Sequence, residues 1–257
     1  MAPFPSRIWA LALLVPTLAA CSPDHLASSP QSQADQSTPA ASSQADQPGP
    51  TPSLLASSSP QPSRQPQERD LSSPSSLTVL VNKKNPLSPL SYEPDDLANL
   101  VGVPLRQPAA QAAQKMFADA AAEGVFMQAL SGYRSYSTQE STYASWVAQQ
   151  GQDYADTASA RPGYSEHQTG LALDIGTGTG CDLQPCFKDS PAARWVADRA
   201  HLYGFVVRYP WWEHETTGYW YEPWHLRYIG PEEAENFKKS GSATLEDYWA
   251  VGPAPSY

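Results

Sequence analysis

The carboxy-terminal part of this 257-residue chain predicts an α+β fold, a single domain with a central, largely antiparallel sheet and flanking helices. Three observations predict it. Residues 22–76 are mostly Ser, Pro and Gln with no helical or strand period, so they cannot bury a core and read as a disordered tether preceding the domain. Beyond them, strand-like runs are short and bounded by glycine, proline or asparagine. Finally, helices and strands follow one another without the regular alternation that builds a parallel sheet.

The elements follow in order. Leu77 to Val81 is a compact β-prone run ending in the turn-forming Asn82 to Pro86. "PAAQAAQKMFADAAAEG", 108–124, is Ala-rich with Pro at its start and Gly at its end, the asymmetry of a helix. "VFMQALSGYRSY" reads as a strand emptying into a Gly-containing loop, and "STQESTYASWVAQQG" as a helix with a Ser or Thr cap. "SPAARWVADRAHLYG" is a helix capped by Ser190, with Pro191 in its first turn and a stop at Gly204. "FVVRY" and "LRYIG" are short strands. "PEEAENFKKSG" closes the domain as a helix with acids early and lysines late, matching its dipole. No internal repeat is visible.

At the amino terminus, Arg7 precedes an apolar run from Ile8 to Ala20 that is too short to span a bilayer comfortably and reads as an export signal. Leu18-Ala19-Ala20 before Cys21 resembles the lipobox of bacterial lipoproteins, in which the cysteine is lipidated. An ordinary secretory signal with an incidental cysteine is the alternative. The expected organisation is therefore a signal peptide and lipobox over 1–21, a linker over 22–76 and a catalytic domain over 77–257. The protein is expected outside the cytoplasm, anchored through lipid on Cys21 and facing the cell wall or periplasm. As a flexible coil the linker spans roughly 40 Å. Cys181 and Cys186, the remaining cysteines, form an even pair in an oxidising compartment, so a disulfide is expected; a zinc pair is the weaker reading, because no second cysteine pair accompanies it. A net charge of −10 argues against nucleic acid or an anionic membrane surface as an electrostatic partner and leaves small peptides open.

The chain has 5 histidines, which makes the placement of two of them informative. In "HQTGLALDI", Leu171, Leu173 and Ile175 alternate with Ala172 and Asp174, so Asp174 points away from the apolar face of a half-buried strand. Gly170 permits a tight turn that brings His167 back beside Asp174. Alone, such a pair also reads as a hydrogen-bonded structural couple. "EPWH" then sets a carboxylate and an imidazole three apart around Pro223, which is expected to prevent regular strand pairing and to turn Glu222 and His225 towards one cavity. His167, Asp174 and His225 make a two-His, one-carboxylate set suited to zinc with an open position, leaving Glu222 as a candidate base. His201, near a helix end, and His214, in a polar loop, are not expected to be ligands.

These residues resemble a family. "SEHQTGLALD" is similar to the SxHxxGxAxD pattern, and "EPWH" to the ExWH pattern, of the VanY-type D-alanyl-D-alanine carboxypeptidases, relatives of L,D-carboxypeptidases and D-Ala-D-Ala dipeptidases. The similarity extends over most of residues 78 to 239, including "VLVNKKNPL", "SGYRSYSTQ" and "TGYWYEPWHLRYIG". It implies one zinc ion held by His167, Asp174 and His225, with Glu222 as the acid/base. It also implies Arg134 as a substrate clamp that stabilises the oxyanion, and Ser165 as a motif serine near the substrate. Gln139 and Trp224 are expected to join Ser165 and Arg134 as substrate contacts. Other readings stand beside these: Glu222 as a fourth, structural ligand, Arg134 as a surface ion-pair partner, Ser165 as a turn former. The implied activity is removal of the C-terminal D-alanine from peptidoglycan stem peptides by a monomer. L,D-carboxypeptidase action on tetrapeptide stems and a non-catalytic wall-binding lipoprotein are the alternatives. A dipeptidase would need an extra acid to recognise a free ammonium, and none suggests itself.

Overall fold

The computed structural model describes residues 69–257, and the fold is a mixed α+β domain with an antiparallel sheet, as expected. The signal peptide, Cys21 and the linker up to residue 68 lie outside the described residues. A small hairpin comes first, β1 (Leu97–Leu100) against β2 (Val103–Arg106), followed by α1 (Gln107–Ala122). Then come β3 (Gln128–Ser131), α2 (Tyr136–Gln150), α3 (Gln152–Ala158) and β4 (Ala172–Gly176). The remainder is α4 (Pro191–Arg199), β5 (Phe205–Tyr209), α5 (His214–Thr217), β6 (Glu222–Tyr228), α6 (Pro231–Ser240) and α7 (Leu245–Tyr248). The main sheet runs β3-β4-β6-β5, antiparallel throughout.

Strand alternation gives this sheet two different faces. Leu173 of β4 pairs with Leu226 of β6, and both, with Ile175, join a core that includes Ala109, Ala113 and Met116 of α1 and Val196 of α4. Each such aliphatic side chain contributes roughly 1.5–3 kcal/mol by burial. The opposite face carries Asp174 paired with His225, and Ala172 paired with Arg227. Instead of meeting water, this polar face is covered by the segment 77–83, by a 3-10 turn at Glu166–Thr169 and by α7.

That cover explains where expectation and structure part. Leu77 to Val81 is not a strand, because its carbonyls are taken by a side chain: Arg227 Nη2 donates to Leu77 O at 3.2 Å and to Val79 O at 2.7 Å. The turn that follows is as expected, with Asn82 Oδ1 accepting from the Lys84 and Asn85 amides. The folded domain also begins before 77. Leu80 N donates to Leu71 O at 2.9 Å, and Arg69 bonds Glu233 and Tyr248, so 69–76 belongs to the domain and not to the linker. Pro223, expected to prevent regular pairing, lies inside β6 where the register against β5 is indeed broken. A bulge accommodates it: β6 runs back from Leu226 to Glu222 while β5 advances only from Val207 to Tyr209. The β1–β2 hairpin and α3 were not anticipated. Ser135 caps α2, accepting from Thr138 N, and Ser190 caps α4, accepting from Ala193 N.

Candidate metal and catalytic centre

His167 is held in place by its turn and by a carbonyl. The 3-10 turn Glu166–Thr169 ends at Gly170 with φ +69, a left-handed conformation that reverses the chain into β4. A Cβ there would sit 2.9 Å from Arg106 Cγ and 3.2 Å from the Arg106 amide nitrogen. Gly170→Ala is therefore expected to cost about 1–2 kcal/mol, read as a lower urea midpoint at unchanged slope.

The turn folds His167 back so that its Nε2 lies 3.2 Å from Asp174 Oδ2. Its Nδ1 lies 2.7 Å from Gly132 O and, facing a carbonyl, must be the protonated nitrogen. Nε2 is thereby left with its lone pair directed at Asp174. His225 is fixed in the mirror sense. Its Nε2 lies 3.3 Å from Glu166 Oε2, which leaves Nδ1 facing the site, 3.0 Å from Asp174 Oδ1. The two imidazoles stand edge-on, centroids 5.0 Å apart, and one donor atom from each of His167, Asp174 and His225 lies within 4.8 Å of the others. All three residues are buried.

Two nitrogens with assigned lone pairs and a carboxylate suit zinc and leave room for a fourth position. The fit has a further sign: Asp174 Oδ1 is buried and, although near His225 Nδ1, accepts no aligned hydrogen bond. Such an atom is costly unless a cation completes it. Burial opposes ionisation of Asp174, yet the imidazoles beside it hold its carboxyl well below the usual carboxylate range. Burial also opposes charging His225, but Asp174 and Glu166 outweigh it and lift the metal-free ring to about 10.

Glu222 stands at the rim, Oε2 3.7 Å from His225 Nδ1, with its side chain 17% exposed. Burial, with Asp174 adding to it, pushes its carboxyl up to about 8 in the metal-free protein, the behaviour of a group able to take and return a proton near neutrality. Arg134 follows β3 and is half-buried, its charge felt by both Asp174 and Glu222. It donates to Gln139 Oε1 at 3.0 Å and Ser131 Oγ at 3.1 Å, while its amide donates to His167 O at 3.1 Å.

Gln139 and Trp224, two expected substrate contacts, have partners within the protein. Gln139 is buried with its whole amide committed: its oxygen accepts from Arg134, and its nitrogen donates to Ala160 O at 2.7 Å and Ser159 Oγ at 3.2 Å. Its oxygen thereby holds the Arg134 guanidinium. Trp224 shares the strand face of Leu226 and packs half-buried against the apolar core, away from the His–Asp–His cluster. Ser165 is buried where the 3-10 turn begins, its carbonyl accepting from Gln168 N at 3.1 Å. His201 and His214 stay outside the cluster, near Glu235 and Glu215 respectively. Cys181 and Cys186 are bonded to each other in the loop after β4.

Sequence reasoning passed over a buried charge network behind His225. Glu166 Oε1 accepts from Arg208 Nε at 2.8 Å and Arg227 Nη1 at 2.9 Å, and Arg208 also forks onto Glu246 at 2.6 and 2.8 Å. Burial disfavours a charged Glu166, but the two guanidiniums hold it ionised. An ionised Glu166 is what fixes the His225 tautomer. The available signal was arginine within otherwise apolar strands, "FVVRY" and "HLRYIG", where charge is found only when paired.

The family profile described as VanY, D-alanyl-D-alanine carboxypeptidase, matches residues 102–231, which contain every cluster residue, Arg134 and Glu222. YodJ of Bacillus subtilis (strain 168) is 40% identical over 190 residues, covering 70% of this chain and 69% of that protein. The LdcB LD-carboxypeptidase structure aligns at 40% identity with a TM-score of 0.64, over 69% of this chain and 87% of that one. A mutant of the vancomycin resistance D,D-pentapeptidase VanY in complex with Zn(II) aligns at 34% identity and TM-score 0.59, over 68% and 98% of the two chains. Fold, buried cluster and sequence agree, and the chain belongs to the VanY family of D-alanyl-D-alanine carboxypeptidases.

Proposed function

We infer that this chain is a zinc carboxypeptidase that removes the C-terminal D-alanine from peptidoglycan stem peptides. The observation that supports this reading is the buried His167, Asp174 and His225 trio, its two imidazoles oriented by Gly132 and Glu166, with the Glu222 carboxyl at its rim. Bound zinc supplies Lewis acidity to a carbonyl and acidifies water towards a pKa of about 7. Glu222 takes the proton from the attacking water and returns it to the leaving amine of D-alanine. Arg134, held by Gln139 and Ser131, presents its guanidinium to the oxygen that becomes negative, a contact whose loss costs about 3 kcal/mol in comparable sites. Ser165, at the mouth of the turn, borders the substrate.

Two substrates fit this chemistry. The family description favours the D,D bond at the end of a pentapeptide, whereas the higher identity to LdcB favours the L,D bond at the end of a tetrapeptide. Mass spectrometry of the zinc-loaded full chain incubated separately with each stem decides between them. Loss of one alanine from the pentapeptide alone assigns D,D action, and loss from the tetrapeptide alone assigns L,D action. Trimming of neither contradicts the reading and favours a wall-binding protein. The cellular setting follows the motifs: export through residues 1–21, lipid on Cys21, a linker ending at 68 and a monomeric catalytic domain from 69 working outside the cytoplasm.

A further inference from the structure

The loop 210–221 leaves β5 and enters β6 at the end of the sheet where Tyr209 pairs with Glu222. It exposes three tryptophans to solvent: Trp211 is 54% exposed, Trp212 72% and Trp220 53%. Their rings form a continuous ribbon. Tyr221 meets Trp211 at 5.2 Å, Trp211 meets Trp212 at 5.4 Å, Trp212 meets His214 at 6.2 Å, and His214 meets Trp220 at 4.9 Å. Burial explains none of these exposed indoles, and Trp212 also sits at φ +68, a backbone region that bulky side chains rarely occupy. A contiguous aromatic surface held in water against both preferences marks a binding face.

The chemistry of the ribbon narrows its occupant. Indole and phenol rings offer flat apolar faces with polar edges. A pyranose is the complementary object, with one C–H face and a rim of hydroxyls. Both signs of charge border the rings, Glu213 and the exposed Glu215 beside His214, and Lys188, Arg194 and Lys238 in the cleft that Trp211 and Tyr221 line; with −10 on the chain overall, the face offers no single-sign field for anionic lipid or nucleic acid. The ribbon lies on the loop that joins Tyr209 to its pair partner Glu222, so both ends of that loop meet the sheet at the position of the candidate base. We propose that Trp211, Trp212 and Trp220 form a saccharide platform that grips the glycan strand to which the stem peptide is attached. This rests on the carboxypeptidase reading for its biological sense, though glycan binding itself does not depend on it. Gripping the polymer would make delivery of its stems to Glu222 an intramolecular event.

The test uses full-chain protein, the parent and the Trp212→Ala/Trp220→Ala variant, both confirmed folded by circular dichroism; Trp211→Ala serves as a second, independent variant. Chitotetraose, a β-1,4-linked N-acetylglucosamine tetramer, is titrated against tryptophan fluorescence. D-alanine release is measured in parallel from a free synthetic stem peptide and from polymeric peptidoglycan. Expected are saturable quenching in the parent that is lost in the variants, kcat/KM on the free peptide unchanged within about twofold, and a drop of about tenfold or more on the polymer. Equal losses on both substrates would overturn the platform, as would no loss on either with no quenching. A parent that is dimeric by light scattering and becomes monomeric in the variants would also overturn it, making the ribbon a self-interface. If the parent releases D-alanine from neither substrate, the carboxypeptidase reading fails, and the chitotetraose titration still decides the platform.

Discussion

Glu222→Gln is expected to lower the rate of D-alanine release by about 10²–10⁴-fold while zinc stays bound, because it removes the proton acceptor and leaves His167, Asp174 and His225 untouched. The loss should fall on kcat, with peptide affinity preserved, since the missing proton transfer matters only in the transition state. The same substitution has a second readout of opposite sign. The Glu222 carboxyl is raised from 4.5 to about 8 in the metal-free protein, so the folded state keeps a proton that the unfolded chain releases above pH 4.5. Its contribution to stability is full below that value and is lost as pH rises through 8. Glutamine carries no such dependence. The metal-free variant is therefore expected to gain stability relative to the parent as pH rises from about 4.5 to about 8 and to keep that gain at higher pH, measured by urea denaturation at several pH values. A variant that is inactive and also loses zinc would place Glu222 among the ligands instead.

Arg208→Met carries the largest expected cost to folding. Arg208 is fully buried, and its guanidinium serves Glu166 and Glu246 at once. Removing it leaves Glu246 without its arginine, held by Asn82 and a backbone amide, and leaves Glu166 with Arg227 and His225. Breaking a buried ion pair from one side costs about 3–5 kcal/mol, far more than the lost packing of a side chain replaced by methionine. Denaturant unfolding of the metal-free protein should show that loss. Arg208→Met combined with Glu246→Leu should recover part of it, because the second change removes the charge left unpaired. A loss under about 1 kcal/mol would mean that water or a rearranged Arg227 substitutes for Arg208. Zinc affinity should fall as well, since a less firmly ionised Glu166 holds the His225 tautomer less well.

These two residues also show what the sequence made legible and what it did not. Glu222 and the His–Asp–His set were readable because strand alternation turns Asp174 from the apolar face, Gly170 permits the reversal that returns His167, and the family-like ExWH pattern marks Glu222 and His225. Arg208 and Glu246 were not, because their pairing crosses from β5 to α7 and no local period encodes it. The same limit explains Leu77 to Val81. Its composition favours a strand, but Arg227, distant in sequence, captures its carbonyls and leaves it as cover for the polar face. Pro223 behaves as its chemistry requires, interrupting the regular register of β6 against β5 at a bulge, though the strand itself continues through it. Gln139 and Trp224 sit within family-like motifs, yet one is spent on aiming Arg134 and the other on the core.

The central claim is that His167, Asp174 and His225 hold one zinc ion on which D-alanine release depends. Its most direct test is to strip the full chain with a chelator and titrate zinc back while following D-alanine released from the stem peptide that mass spectrometry identifies. Release should be absent in the stripped protein, rise in proportion to zinc added and break at one zinc per chain, whereas His167→Ala and His225→Ala should show no break and no release. Full release with the metal removed, or an unchanged break in the histidine variants, would contradict the account.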